Sequence, residues 1–247
     1  GAFAVITTVS MLGFPPALAI AASVVCCVVL GVCVERIAYK PLRKSPPLAV
    51  LITAIGVSYF LQSLALLIFG STQHSFPKVF SVPTLALGAL TIRGDMLVTL
   101  AVTTAIMIGM SLFIAKSRTG KAMRAVSEDR DAAELMGISV NRTITITFAI
   151  GSALAAVAGV FYGTTYGFIG PYTGSMPGIK AFVAAVFGGI GSMPGAMLGG
   201  ILLGVIENLA KRYISTELSD AIVFAVLIIV LMVKPTGLLG KRVTEKV

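Results

Sequence analysis

The sequence predicts an all-α polytopic membrane protein, with about seven to eight membrane helices or half-helices. Three observations carry that reading. Hydrophobic residues make up 57% of the 247 residues and charged residues only 12%, with a mean hydropathy of +0.99. A soluble domain carries about 25% charged residues, so half that fraction cannot cover a globule of this size, which excludes a soluble enzyme. Stretches free of Asp, Glu, Lys and Arg run over 1–34, 45–77, 96–115, 143–179 and 181–206, and about 20 apolar residues suffice for a helix to cross a bilayer. These runs lack the polar alternation of barrel strands, so they form helices that satisfy their own backbone.

The elements follow in chain order. Gly1–Leu12 reads as the end of a first helix whose beginning lies upstream, since residue 1 is Gly and no basic flank marks a signal sequence. Gly13, Phe14, Pro15 and Pro16 make a tight turn, and a second span covers Ala17–Val34. Its Cys26, Cys27 and Cys33 lie within one apolar run, where a disulfide framework has no place. Further spans cover Leu48–Phe69, Met96–Ala115, Thr143–Tyr162 and Ala221–Val233. Between Gly163 and Leu209 the pattern breaks around Pro171, Pro177 and Pro194. Ile179–Phe187 is too short to span and Met197–Leu209 barely longer, so half-helices or a broken pair are expected, crossing twice or dipping in and returning. Irregular backbone at membrane depth is tolerated only beside protein or a water-filled cavity, which makes this region the expected pathway.

Basic residues set the orientation. Of 19 Lys and Arg, 14 fall in three clusters: Arg36, Lys40, Arg43 and Lys44; Lys116, Arg118, Lys121, Arg124, Arg130 and Arg142; and Lys234, Lys241, Arg242 and Lys246. The positive-inside bias places these clusters and the C-terminus in the cytoplasm and the 70–95 loop outside. Lys78, Arg93, Lys180, Lys211 and Arg212 are left for the other side or the interface. The net charge of +9 does not signal nucleic acid, because the basic residues sit between apolar runs rather than along one solvated face.

Catalysis would need convergent acids, bases or metal ligands. The single histidine, His74, stands in the outer loop without a second His, a Cys or a carboxylate nearby, so it reads as a solvated loop residue and no catalytic or metal site is expected. Glu207 is the one acid inside an apolar run, followed by Asn208; it can pair with Lys211 at i+4 or serve the pathway. Small residues recur every four positions at Gly151, Ala155, Gly159, Gly163 and Gly167, and again at Gly191, Gly195 and Gly199, with Gly200 and Gly204 beside them. Such spacing permits close helix packing, and contact with a permeant explains it as well.

The loop over 116–142 is the most specific feature. Ser127 is the expected N-cap, Glu128, Asp129 and Asp131 place negative charge in a first turn, and Gly137 is the stop. A short amphipathic helix outside the membrane follows, with Ala132, Ala133 and Met136 as an apolar face suited to a partner's groove.

At this loop Asp131-Ala132-Ala133-Glu134-Leu135-Met136-Gly137 resembles the EAA-x-x-x-G coupling motif of ABC importer permeases, with Asp131 in place of the usual Glu and no downstream Ile-x-Leu-Pro. Glu35-Arg36-Ile37-Ala38-Tyr39-Lys40-Pro41-Leu42-Arg43, with Leu51-Ile52-Thr53-Ala54-Ile55-Gly56-Val57-Ser58, resembles the H-type subunit of the branched-chain amino acid permeases. Gly188-Gly189-Ile190-Gly191-Ser192-Met193-Pro194-Gly195-Ala196 and the tail Lys234-Pro235-Thr236-Gly237-Leu238-Leu239-Gly240 are similar to signatures of the same family. The resemblance covers essentially the whole chain as one permease domain, 1–247, with its N-terminus missing.

It implies a multi-pass bacterial inner-membrane importer of branched-chain or related small amino acids. This chain would pair with a second homologous permease, two ABC ATPase subunits that bind ATP and Mg, and a periplasmic substrate-binding protein. Glu128, Asp129, Asp131, Ala132, Ala133 and Gly137 would carry ATPase coupling, and Gly188, Gly189, Gly191, Gly195, Gly199, Glu207 and Asn208 are pathway or packing candidates. No Gly-x-x-x-x-Gly-Lys-Ser/Thr run occurs, so no phosphate loop or cofactor is expected in the chain itself. The rival is an ion- or proton-coupled carrier of small polar solutes, for which broken helices are present and ionisable ligands scarce.

Overall fold

Proline and glycine positions set most of the helix limits in a computed structural model that describes residues 1–12, 15–77, 85–87, 90–92 and 94–240. Helix α1 covers Ala2–Leu12, and α2, Pro16–Val34, starts with Pro16 in its first turn, where a missing N–H costs nothing. A π-helical turn over Glu35–Tyr39 prolongs α2. Helix α3 is Pro47–Phe69, α4 Gly94–Lys116, α5 Arg118–Glu128, α6 Arg130–Leu135 and α7 Val140–Tyr166. Helices α8 (Ser175–Gly188), α9 (Met193–Tyr213) and α10 (Ser219–Val233) follow. Part of the expected 13–16 turn, and Lys78, Arg93, Lys241, Arg242 and Lys246, lie outside the described residues.

Two compact units result. The first comprises Gly1–Thr104 and Leu112–Thr173, the second Ala105–Ser111 and Gly174–Val247. In the first, α2 packs along α7, and α1 lies against both. Gly31 permits the α2–α7 approach, since a Cβ there would stand 1.8 Å from Ser152 Oγ. Val5, Ala19, Phe76, Val160 and Ile169 form the core. Short strand β1, His74–Ser75, pairs antiparallel with β4, Phe168–Ile169, and brings Phe76 over Gly163. A second antiparallel pair joins β2, Leu85–Leu87, to β3, Leu90–Ile92. Threonines inside the apolar helices return their hydroxyls to their own backbone, as Thr53 does to the Ala49 carbonyl at 2.8 Å and Thr147 to the Thr143 carbonyl at 2.9 Å. These hydroxyls then present no unpaired hydrogen to lipid.

The second unit is a helical hairpin, α8 and α9, with α10 packed across it. Its core is Val183, Ala184, Phe187, Leu203 and Val223. The hairpin corrects part of the sequence reading. With 14 residues α8 reaches roughly 21 Å, short of a hydrocarbon layer of about 30 Å, as the half-helix expectation requires. With 21 residues α9 is no half-helix: Ser192 caps it so that it starts at Met193, four residues before the expected start, and Lys211 and Arg212 favour the negative end of its last turn beyond Leu209.

Five helices among the described residues are long and apolar enough to span: 16–39, 48–69, 94–116, 140–166 and 193–213. In the windows that qualify α3 and α4, no residue is buried. Their apolar side chains, such as Leu51, Ile55, Phe60 and Leu67, point outward, as in an all-helical polytopic membrane protein with one-layer contacts to lipid or to other chains.

Candidate functional site

The loop between α4 and α7 folds as two helices rather than one. Ser117 caps α5, its hydroxyl accepting from the Gly120 N–H at 2.9 Å. Gly120 is obligatory there, because a Cβ would stand 2.4 Å from Ile114 Cα. Asp129, in extended backbone, breaks the helix and starts α6, its carboxylate accepting from the N–H groups of Asp131 and Ala132 at 2.9 and 3.0 Å. The cap is therefore Asp129 and not Ser127, whose hydroxyl instead donates to the Arg124 carbonyl in the last turn of α5. Glu128 closes α5 and lies outside the first turn of α6. An aspartate two residues after a serine wins the cap because its ionised oxygens also meet the positive end of the helix.

Gly137 ends α6 as expected. Its φ is +79°, its N–H donates to the Glu134 carbonyl and the Ile138 N–H reaches back to Ala133, closing the last turn in a Schellman motif. The exposed face differs from the expected one. Ala133 is buried within the first unit, so it anchors α6 rather than offering a contact. Ala132, Leu135 and Met136 point outward, with Leu135 89% and Met136 83% exposed. Two large apolar side chains on a doubly capped short helix outside the spans thus form an exposed apolar patch, with none of the described residues covering them.

Behind α6 lies a polar joint that the sequence reading missed. Glu35 is fully buried where α2 passes into its π-helical turn, paired with Arg43 and accepting from Thr145 Oγ1 at 2.9 Å. Arg43 also donates to Asn141 Oδ1, and its carbonyl accepts from Arg130 at 3.4 Å. The end of α2, the start of α7 and the first residue of α6 thus share one network. A signal was available: Glu35 is the sole acid before Asp95, placed directly after an apolar run among basic residues. A charge at such a position is retained only if it is paired.

In the second unit the glycine signature makes a backbone contact. A Cβ on Gly188 would stand 2.0 Å from the Gly195 carbonyl oxygen, and one on Gly199 would stand 2.4 Å from the Ala184 carbonyl oxygen. Gly189 and Gly191 turn the chain at φ +110° and +88°, and Ser192 caps α9 by accepting from the Gly195 N–H at 3.2 Å. The tail signature closes over this turn. N–H groups of Leu238 and Leu239 donate to the Phe187 and Gly188 carbonyls, both at 2.9 Å, satisfying the end of α8. Gly200 and Gly204 meet little or nothing, and Gly151 faces open space, so only part of the four-residue pattern mediates packing.

Glu207 does pair with Lys211 at i+4. Lys180 of α8 joins them, 2.9 Å from Glu207 and 2.6 Å from Asp220 of α10, so one lysine ties three helices. Lys180 and Asp220 were not recognised from sequence, because their pairing depends on how the hairpin folds. Asn208 stays outside the cluster and donates to the Gly204 carbonyl of its own helix at 2.8 Å. His74 is not solvated: it is partly buried in β1, with Nε2 2.9 Å from the Phe69 carbonyl and its ring edge-on to Phe3. Among the described residues no group of His, Cys, Asp and Glu could hold a metal ion.

Comparison with known proteins gives one consistent result. The family described as branched-chain amino acid transport system / permease component matches residues 1–231. The high-affinity branched-chain amino acid transport system permease protein BraD of Pseudomonas aeruginosa is 43% identical over 100% of this chain and 83% of its own length. The LivH permease proteins of Salmonella typhimurium and Escherichia coli K12 are each 45% identical over 99% of this chain and 82% of theirs. No solved structure is a significant match.

Proposed function

Since the chain belongs to the family of branched-chain amino acid transport permeases, we propose that it forms half of an ATP-driven import pathway for branched-chain or related small amino acids in the bacterial inner membrane. A second homologous permease completes the pathway, two ATP-hydrolysing subunits bind from the cytoplasm, where the C-terminus also lies, and a periplasmic binding protein delivers substrate. The names of the relatives and the clustering of basic residues support this arrangement.

The observation that carries the coupling assignment is α6. It is capped at both ends, anchored by Ala133 and by the Arg130 contact to Arg43, and presents Leu135 and Met136 outward. A partner gripping that face moves the start of α7 and the end of α2 together through the Glu35–Arg43 joint. The Gly188–Gly195 hairpin is the proposed pathway element, because backbone in contact with backbone shifts as a unit.

Labelled leucine uptake by cells carrying the complete gene set tests the reading. Uptake abolished by ATP depletion and preserved when the proton gradient is collapsed supports it. The reverse pattern favours a gradient-coupled carrier, the second reading, for which the Lys180, Glu207 and Asp220 cluster on apolar helices supplies ionisable groups.

A further inference from the structure

Three cations at the end of α2 and the start of α7 are uncommitted. Among the described residues Arg36, Lys40 and Arg142 have no carboxylate partner, whereas Arg43 is spent on Glu35. Arg36, Lys40 and Arg142 line a cavity of about 340 Å³ together with Arg43, Asn141 and Thr145. Glu35 also lines it, but its oxygens are taken by Arg43 and Thr145. The cavity therefore carries three unbalanced positive charges, at the small end of the range for small-molecule sites.

Other features sharpen what the cavity fits. Arg43 keeps a buried Nε–H with no acceptor, a state buried donors rarely hold without a ligand or water. Ser139 makes no side-chain cap bond to α7, and Asn141 and Arg142 of that helix's first turn line the cavity, so the positive end of a 27-residue helix lies beside it. These features suit an anion with several acceptor oxygens, of which a phosphate is the commonest kind at a membrane surface. The apolar run of α2 ends at Val34 and that of α7 begins after Arg142, so the cavity stands at the level where hydrocarbon gives way to head-groups. Ile37, beside Arg36, is 77% exposed, and further up α2 so are more than half of Val29 and Val25. A soluble anion has no use for that apolar rim, whereas the acyl chains of a lipid do.

We propose that this pocket binds the phosphate of an anionic phospholipid head-group, with Arg36, Lys40 and Arg142 supplying the charge and acyl chains lying along α2. The site requires only that the chain be membrane-embedded, and it stands apart from the transport assignment. A lipid seated there touches the residues that flank the Glu35–Arg43 joint, and so would stiffen it.

Native mass spectrometry of the full chain, purified with whatever subunits accompany it, tests the proposal. The probes are phosphatidylglycerol, phosphatidylcholine and inorganic phosphate. Each cation near a membrane surface contributes about fivefold in affinity, so Arg36→Gln, Lys40→Gln and Arg142→Gln together should weaken phosphatidylglycerol binding on the order of 100-fold. Phosphatidylcholine should bind weakly to both proteins. The control variant Lys116→Gln, Lys121→Gln, Arg124→Gln removes equal charge elsewhere and should retain the selectivity. Equal binding of both lipids to the unmodified chain, or equal losses in the two variants, overturns the site. Saturation by millimolar inorganic phosphate without lipid selectivity overturns the lipid and leaves a free-anion pocket.

Discussion

The two compact units secure their helix ends by opposite means. In the first, a carboxylate with no exposed surface is neutralised by one arginine and bonded by Thr145, and the same arginine reaches Asn141. In the second, the contact is backbone on backbone through Gly188, Gly195 and Gly199, while the charges stand at the rim with Glu207 still 18% exposed. A buried charge that loses its partner has no water to turn to, whereas a rim charge recovers hydration. The first unit should therefore be brittle toward charge deletion and the second toward added bulk.

The largest expected effect is at Glu35. Arg43→Met strands Glu35, which has no exposed surface, and should cost about 3–5 kcal/mol, seen as a collapse of the thermal midpoint in detergent. The double variant Glu35→Leu, Arg43→Met removes both charges and should recover most of that loss. A double variant as unstable as the single one would mean that Asn141 and Thr145, rather than the stranded charge, dominate the joint.

Next comes the hairpin. Gly188→Ala or Gly195→Ala drives a methyl group into facing backbone and should cost about 1–3 kcal/mol, because neither backbone can yield without moving its helix. Gly204→Ala meets no atom within 4 Å, and removing a helical glycine there should be neutral or stabilising by up to about 1 kcal/mol. If the Gly188 and Gly204 variants melt together, the backbone contact does not secure the second unit.

Lys180→Gln is the smaller test of that unit. It frees Asp220 and leaves Glu207 with Lys211, so the loss should be about 1 kcal/mol and should shrink further in molar salt. A salt-insensitive loss as large as that of Arg43→Met would erase the distinction between the units.

How much of this was legible follows the range of each interaction. The limits of α3 and α4 came within about two residues because apolar runs and flanking Pro, Gly and Lys are local signals. The Glu207–Lys211 pair was legible for the same reason. Lys180 and Asp220 were not, since they are brought to Glu207 by a hairpin whose close approach the sequence could suggest but not register. At 127–136 the competition lay between two good caps, and helix propensity continued α5 through Ser127 to Glu128, leaving Asp129 to start α6. That one shift moved Ala133 from the expected docking face to the anchor and brought Leu135 outward.

The same shift supplies the variant with the smallest effect on the fold. Leu135 is exposed, so Leu135→Asp should change stability by less than about 0.5 kcal/mol. If a partner grips this face, the substitution nevertheless abolishes leucine uptake and co-purification of the ATPase subunits, as does Met136→Asp. Ala133→Asp discriminates poorly, because it buries a charge against the first unit and loses uptake through misfolding. The informative outcome is the pair: a normal melting curve with no uptake for Leu135→Asp assigns α6 to coupling. Normal uptake in both the Leu135 and Met136 variants removes it from that role, whatever Ala133→Asp does.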